Sequence, residues 1–420
     1  MFFQQVPKGE ATELLIPGAI RFQRFDPAAN EIGFIVIQDP EGNEFCLDGW
    51  NAMPYVDCGV TRVTSWSMWR LCFMFRRLGL ATVVLAISTV IWQPGASAAG
   101  SAYVALGDSY SSGVGTRTYI SDGTSCQRSV YAYPSLIAAA RGYALNFRAC
   151  SGAMVSDVTS GQLSALSTST TYVTISVGGN DAGFSDVLTE CAKPAWASDC
   201  AGAVTTAQNY IKNTLPGSLS TLYTSIKTKA PNAKVVVVGY PRIFNGEDCN
   251  AFTWFSPDDE NRLNATADLI DSKTSAAASA KGFSFVNPIS KFTGHAVCDS
   301  IEWLNGLSNP ISESYHPNRT GHSSGYTPLV SPLLTGASLA VTQAVIADAE
   351  SSSNALATQQ RRYAARDAGI TPERFVAPDL TTPEMRAAAR RAGVDLTSRA
   401  SIDRVDREYA RAQAEAHPLR

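Results

Sequence analysis

Tyr103-Val104-Ala105-Leu106-Gly107-Asp108-Ser109 joins a strand signal to a turn signal. An unbroken apolar run is followed at once by three residues that favour turns, and then by the Gly-rich Ser111-Ser112-Gly113-Val114-Gly115. A short apolar run bounded in this way reads as a buried strand. Ser109, one step beyond it, holds its hydroxyl at the open edge of a sheet, the carboxyl edge where ligands of open α/β sheets bind. A serine hydroxyl is a poor nucleophile without a base beside it. Three later segments offer the missing parts: Gly152, Gly179-Asn180-Asp181 and Glu313-Ser314-Tyr315-His316.

Working outward, further apolar runs at Tyr172–Val177, Lys234–Gly239 and Phe283–Val286 read as strands, with Ala102–Leu106 the first of the set. Tyr131–Ala140 and Asp258–Lys281 carry helical patterning. Ser256-Pro257 followed by Asp258-Asp259-Glu260 supplies a cap, a first-turn proline and first-turn acids to the second of these. Continuous apolar strands alternating with helices imply a parallel sheet covered on both faces. The expected fold class is therefore α/β: a three-layer α/β/α sandwich over residues 100–345.

The chain has 420 residues, 45% hydrophobic and 17% charged, with a formal net charge of −3. That balance is globular and gives no reason to expect a nucleic-acid partner. Met74-Phe75-Arg76-Arg77, the apolar Leu78 to Trp92 and the small residues Gly95-Ala96-Ser97-Ala98-Ala99 form the basic, apolar and cleavable succession of a secretory signal peptide. Its apolar part is shorter than the roughly 20 residues needed to cross a bilayer, so no stable span is expected in the mature form. Residues 68–99 are read as the signal region and the product as secreted, extracellular and monomeric. Six of the nine cysteines lie beyond this region: Cys126, Cys150, Cys191, Cys200, Cys249 and Cys298. In an exported protein they point to a disulfide framework, for which six thiols allow 15 pairings. None has the spacing of a zinc site, and no metal or cofactor is expected.

Residues 1–67 differ in character. Glu31–Ile37 reads as a strand, Asp39–Asn43 as a turn and Glu44–Leu47 as a returning strand. This resembles the closing hairpin of the glyoxalase/bleomycin-resistance/extradiol-dioxygenase superfamily, in which Glu44 would match an acidic metal ligand. Only the tail of one module is present, so the segment is expected to be a remnant without activity. Residues 346–420 are rich in Ala, Arg and Glu. Thr371-Pro372-Glu373 and Thr382-Pro383-Glu384 look like helix starts. A solvated, charged helical or partly disordered tail is expected there.

The extended string around Ser109, YVALGDSYSSG, resembles block I of the SGNH (GDSL) hydrolases, with Ser109 at the nucleophile. Cys150-Ser151-Gly152-Ala153 and Ser176-Val177-Gly178-Gly179-Asn180-Asp181 resemble the blocks whose glycine and asparagine complete an oxyanion hole. SYHPNRTGHSSGY resembles the last block, with His316 at the general base. The resemblance spans about residues 101–335 and is nearest to secreted bacterial lipases, esterases and phospholipases A1. It implies a flavodoxin-like sheet, an oxyanion hole of Ser109, Gly152 and Asn180, and an ester substrate, lipid or other. It also implies consecutive bridges Cys126–Cys150, Cys191–Cys200 and Cys249–Cys298.

The chain has four histidines. His417 falls in the tail, His295 reads as structural or at a pocket rim, and His322 as capping or orienting the helix that follows it. Many members of the family place aspartate three residues before the base, where this chain has Glu313. Either the Glu313 carboxylate or a main-chain carbonyl near Glu313 or Ser314 would hold the imidazole, with a slight preference for the carbonyl. Competing readings are a short-chain esterase or carbohydrate deacetylase on the same site, a non-catalytic secreted binding protein, and a glyoxalase-type metalloenzyme resting on residues 1–67. The binding protein would need none of the catalytic groups, and the metalloenzyme lacks its remaining modules.

Overall fold

The computed structural model describes residues 100–372 and 374–418, and the backbone of 21–25, 34–38, 44–48 and 51–52. The chain divides into two units, Met1–Trp92 and Gln93–Arg420. In the first, β1 (Arg21–Phe25), β2 (Phe34–Gln38), β3 (Glu44–Asp48) and β4 (Asn51–Ala52) form an antiparallel meander. β2 and β3 are the expected hairpin, with Gln38 opposite Glu44. The expected signal segment lies outside the described residues.

The second unit is built on β5 (Ala102–Gly107), β6 (Ala144–Phe147), β7 (Tyr172–Ser176), β8 (Lys234–Val238) and β9 (Ser284–Val286). They form a parallel sheet in the order β6-β5-β7-β8-β9. Its helices begin with α1 (Ser109–Ser112), α2 (Tyr133–Arg141), α3 (Val155–Ser160) and α4 (Phe184–Cys191). There follow α5 (Cys200–Asn213), α6 (Leu215–Lys229), α7 (Pro257–Ser279), α8 (Ile289–Phe292) and α9 (Thr327–Thr335). The packing of α5, α6 and α7 on one another and of α2 on α9 supplies the covering layers of the three-layer α/β/α sandwich. Ser256 caps α7 as its sequence requires, accepting from the Asp259 N–H while Asp259 returns the contact.

Four strand positions follow from the apolar runs, whereas β6 does not. Ala144-Leu145-Asn146-Phe147 is four residues long, with polar Asn146 in its middle, and it lies at the sheet edge. Val104, Leu106, Val173, Ile175 and Val237 are buried in the core, each contributing roughly 1.5–3 kcal/mol by leaving water. The order β6-β5-β7 places a topological switch between β5 and β7, the crevice where such sheets bind ligands.

The cysteines pair as Cys126–Cys150, Cys191–Cys200 and Cys249–Cys298, closing loops of 24, 9 and 49 residues. Loops of this size restrict the unfolded chain by about 3 kcal/mol or more for the longer ones. Among the described residues no helix is long and apolar enough to cross a membrane.

The C-terminal residues depart from expectation. They are helical, in α10 (Gln343–Ser351), α11 (Ser353–Arg361), α12 (Ala364–Asp367), α13 (Pro383–Ala392) and α14 (Arg399–Ala416). However, they are docked on the sheet-and-helix body rather than solvated. Ala349, Leu356, Ala357 and Phe375 join the main core, and Met385, Ile402 and Val405 pack with Trp196 and Trp254. Asp367 reaches the wholly buried Arg128 and Arg148, at 2.6 Å each. Ion pairs and short apolar stripes made mostly of small residues, such as Met385, Ala388 and Ala389 on α13, hold this arm, which is why its composition reads as solvated. Thr382 does cap α13 as expected. Thr371-Pro372 starts no helix: Ile370 and Phe375, on either side, are drawn into separate apolar sites on the body.

Candidate active site

Ser109 opens α1 immediately after β5. Gly107 makes the sharp turn possible, because it holds φ +120° and a Cβ there would stand 2.2 Å from the Ser176 carbonyl oxygen. The buried Gln162 side chain pairs with this turn in both directions, accepting from Gly107 N at 2.7 Å and donating to Gly107 O at 2.8 Å. Asp108 caps α1 by accepting from Tyr110 N at 3.0 Å. The Tyr240 hydroxyl donates to Asp108 Oδ2 at 2.5 Å and accepts from Gly179 N at 3.2 Å. One tyrosine after β8 thereby ties the turns after β5 and β7 together. Burial pushes the Asp108 carboxyl up to about 7, against the pull of the Tyr240 hydroxyl.

His316 is brought to Ser109 across 207 residues of chain, with Nε2 2.8 Å from Ser109 Oγ. Its Nδ1 lies 2.8 Å from the Ser314 carbonyl oxygen. That carbonyl fixes the tautomer with Nδ1–H and leaves Nε2 as acceptor. Burial lowers the imidazole to about 4, with the Ser314 carbonyl opposing, so His316 is neutral at neutral pH. The Tyr110 hydroxyl braces the same loop, donating to Tyr315 O at 2.8 Å.

Glu313 is not hydrogen-bonded to the imidazole. Its buried carboxylate accepts from the Tyr119 hydroxyl at 2.8 Å and pairs with Arg117 Nε at 3.1 Å. Its main-chain oxygen faces Asn305 Nδ2 at 3.3 Å. Of the two options open in the sequence, the geometry at His316 is the main-chain one, and the carbonyl is that of Ser314.

Cys150 N donates to Gly107 O at 2.9 Å, anchoring the loop of Gly152 beside the turn of Ser109. Gly152 has φ +81°. Asn180 Nδ2 donates to Ala153 O at 3.0 Å, which joins the loop after β7 to the loop of Gly152. Among the described residues the N–H groups of Ser109 and Gly152 make no hydrogen bond, leaving both open to an acceptor. The carboxylate of Asp181 accepts from Val155 N at 3.0 and 3.2 Å, pinning the first turn of α3.

The remaining histidines lie elsewhere. His295 stacks on Trp303 with centroids 3.7 Å apart. His417 is exposed. His322 is wholly buried, and burial lowers it to about 3. It accepts from Tyr133 N at 3.3 Å, so it caps α2 and not the helix that follows it. Sequence reasoning missed Tyr240 and Gln162 at the site. Their partners are 132 and 55 residues away, so neither belongs to a local motif.

An apolar cavity opens beside Ser109 and Asn180, lined by Phe184, Val187, Leu188, Ile211, Ile243 and Ile270 among others. Its wall comes from α4, α5, α7 and the loop after β8.

A flavodoxin-like sheet carrying these groups at its switch point defines the SGNH hydrolase class. The chain belongs to the GDSL-like Lipase/Acylhydrolase family, whose model matches residues 105–323. It is a carboxylic ester hydrolase. "Lipase 1" of Streptomyces coelicolor is 43% identical over 265 residues, 61% of this chain and 97% of that protein. The crystal structure of an extracellular lipase from Streptomyces rimosus superimposes with a TM-score of 0.52 and 41% identity, covering 56% of this chain and 100% of that one. Phospholipase A1 from Streptomyces albidoflavus NA297 gives a TM-score of 0.53 and 42% identity, over 55% and 98% of the two chains.

Proposed function

We propose that the chain is a secreted hydrolase of lipid esters, of the lipase or phospholipase A1 type, acting through an acyl-enzyme on Ser109. The observation that carries this reading is the Ser109 Oγ–His316 Nε2 hydrogen bond beside an apolar cavity. The substrate's acyl chain lies in the cavity, with its ester carbonyl at Ser109. His316 takes the hydroxyl proton on Nε2 as Oγ attacks the carbonyl carbon. The oxyanion meets the N–H groups of Ser109 and Gly152 and the side chain of Asn180, donors of a kind worth about 3–4 kcal/mol each in the transition state. His316 then passes its proton to the leaving alcohol. Water, deprotonated by the same imidazole, releases the acid and restores Ser109. The Ser314 carbonyl holds the Nδ1–H throughout, the orienting duty an aspartate has in other serine hydrolases.

Three disulfides and the extracellular relative support an oxidising destination. The test is the purified full chain on nitrophenyl esters of graded acyl length and on phosphatidylcholine vesicles. Turnover that rises with acyl length is expected. Activity confined to acetyl esters, sugar acetates included, would reassign the site to a short-chain esterase or deacetylase.

A further inference from the structure

The arm beyond the family match does more than pack on the body. Ile370 is buried against the Cys126–Cys150 bridge and Ala153. A Cβ on Gly152 would stand 2.2 Å from Thr371 O and 2.7 Å from Pro372 Cα, so this strap lies directly on the oxyanion glycine. Phe375 is 4% exposed, and its ring centroid is 4.9 Å from that of Tyr315, the residue before His316. Val376 N then donates to Thr189 Oγ1 on α4 at 3.0 Å. The described residues 370–372 thus lie on the loop of Gly152, and 374–376 on the loop of His316 and the helix that walls the cavity. Both ends are clamped: Asp367 lies between two buried arginines, and α13 and α14 are set on Trp196 and Trp254.

Among the described residues, none of the strap lines the apolar cavity. An ester has two halves, and the cavity suits the acyl one. A rigid segment that covers the oxyanion glycine without lining the acyl cavity bounds the space left for the other half. We propose that residues 370–372 and 374–376 form the wall of the alcohol side of the site and set which leaving alcohols are accepted. The broader the glyceride alcohol, the more closely it meets Thr371, Pro372 and the backbone held by Phe375, so among lipid esters the slimmer alcohols are favoured. This inference rests on the assignment of Ser109, His316 and Gly152 to the reaction.

The experiment holds the acyl group constant and varies the alcohol. Full-length Phe375→Ala and, separately, Pro372→Gly are assayed on ethyl butyrate and on tributyrin, then on nitrophenyl esters of graded acyl length. The tributyrin to ethyl butyrate ratio of kcat/KM should rise fivefold or more, with the acyl-length profile unchanged within twofold. Pro372→Gly removes no buried aromatic ring, so it carries the test if Phe375→Ala does not fold. An unchanged ratio in a folded, active variant would leave the strap a brace only and overturn the proposal, as would a shift in acyl preference in its place. Ser109→Ala run beside them separates the two levels, since activity surviving in that variant defeats the site assignment whatever the ratios do.

Discussion

The Tyr240 hydroxyl donates a 2.5 Å hydrogen bond to Asp108, the residue that caps the helix opened by Ser109. The same oxygen accepts from Gly179 N, next to Asn180. The turns that carry Ser109, the proposed nucleophile, and Asn180, a proposed oxyanion donor, are therefore tied together by one side chain. Tyr240→Phe should lower kcat about tenfold with KM little changed. It also removes the donor that holds the Asp108 carboxyl down, so that carboxyl should titrate higher still. A variant with lower stability but an unchanged kcat would reduce Tyr240 to a packing residue.

Ser109→Ala and His316→Ala should each remove nearly all esterase activity. Nucleophile and base act as a unit, and in a well-studied serine hydrolase the loss of either costs roughly a million-fold. Steady-state assay with circular dichroism of each variant is the check. More than a few per cent of residual activity in folded Ser109→Ala means that another group attacks the ester.

How far the sequence reveals this site depends on the distance between partners. β5 and Ser109 are legible because one apolar run and one turn lie side by side. His316 is legible because the other histidines have poorer contexts. Tyr240 and Gln162 are not, since their roles exist only once distant strands align, whereas the Ser314 carbonyl, two residues from His316, is one of the options open in the sequence. β6 is too short and mixed to show a period. The arm is misread for a related reason: Asp367 meets Arg128 and Arg148 across 239 and 219 residues, and many of its apolar anchors are alanines.

Asp367→Ala should destabilise the protein strongly. It leaves Arg148 without a carboxylate and Arg128 with Asp122 alone, both guanidinium groups being wholly buried. Breaking a buried pair from one side typically costs about 3–5 kcal/mol. Denaturant unfolding followed by tryptophan fluorescence measures it. A loss under 1 kcal/mol would show that the arm is not anchored there.

Activity should persist to unusually low pH. Nε2 of His316 must be unprotonated to accept the Ser109 proton, and burial holds this imidazole at about 4 against an ordinary value near 6.5. The acid limb of kcat/KM should therefore fall with a midpoint near 4, and activity at pH 5.5 should be close to that at pH 7. Circular dichroism at each pH separates titration from unfolding. A midpoint at 6.5 in the folded protein would mean that water reaches His316 freely.

Glu313→Gln distinguishes a carboxylate triad from a carbonyl-held base. The Glu313 side chain is turned to Tyr119 and Arg117, while Nδ1 of His316 meets Ser314 O. Glutamine keeps an acceptor for the Tyr119 hydroxyl and loses only the ionic contact with a half-exposed arginine. The expected cost is tenfold or less in kcat/KM, with stability lowered by on the order of 1 kcal/mol. In the chymotrypsin-type triad the corresponding amide substitution costs roughly 10⁴-fold, because it stabilises the wrong tautomer. Here the tautomer is set by a main-chain oxygen that no substitution at residue 313 removes. Steady-state kinetics of Glu313→Gln beside His316→Ala decides the matter. A thousand-fold loss in a folded Glu313→Gln variant would mean that the carboxylate swings to His316 in the working enzyme, displacing the Ser314 carbonyl from its role.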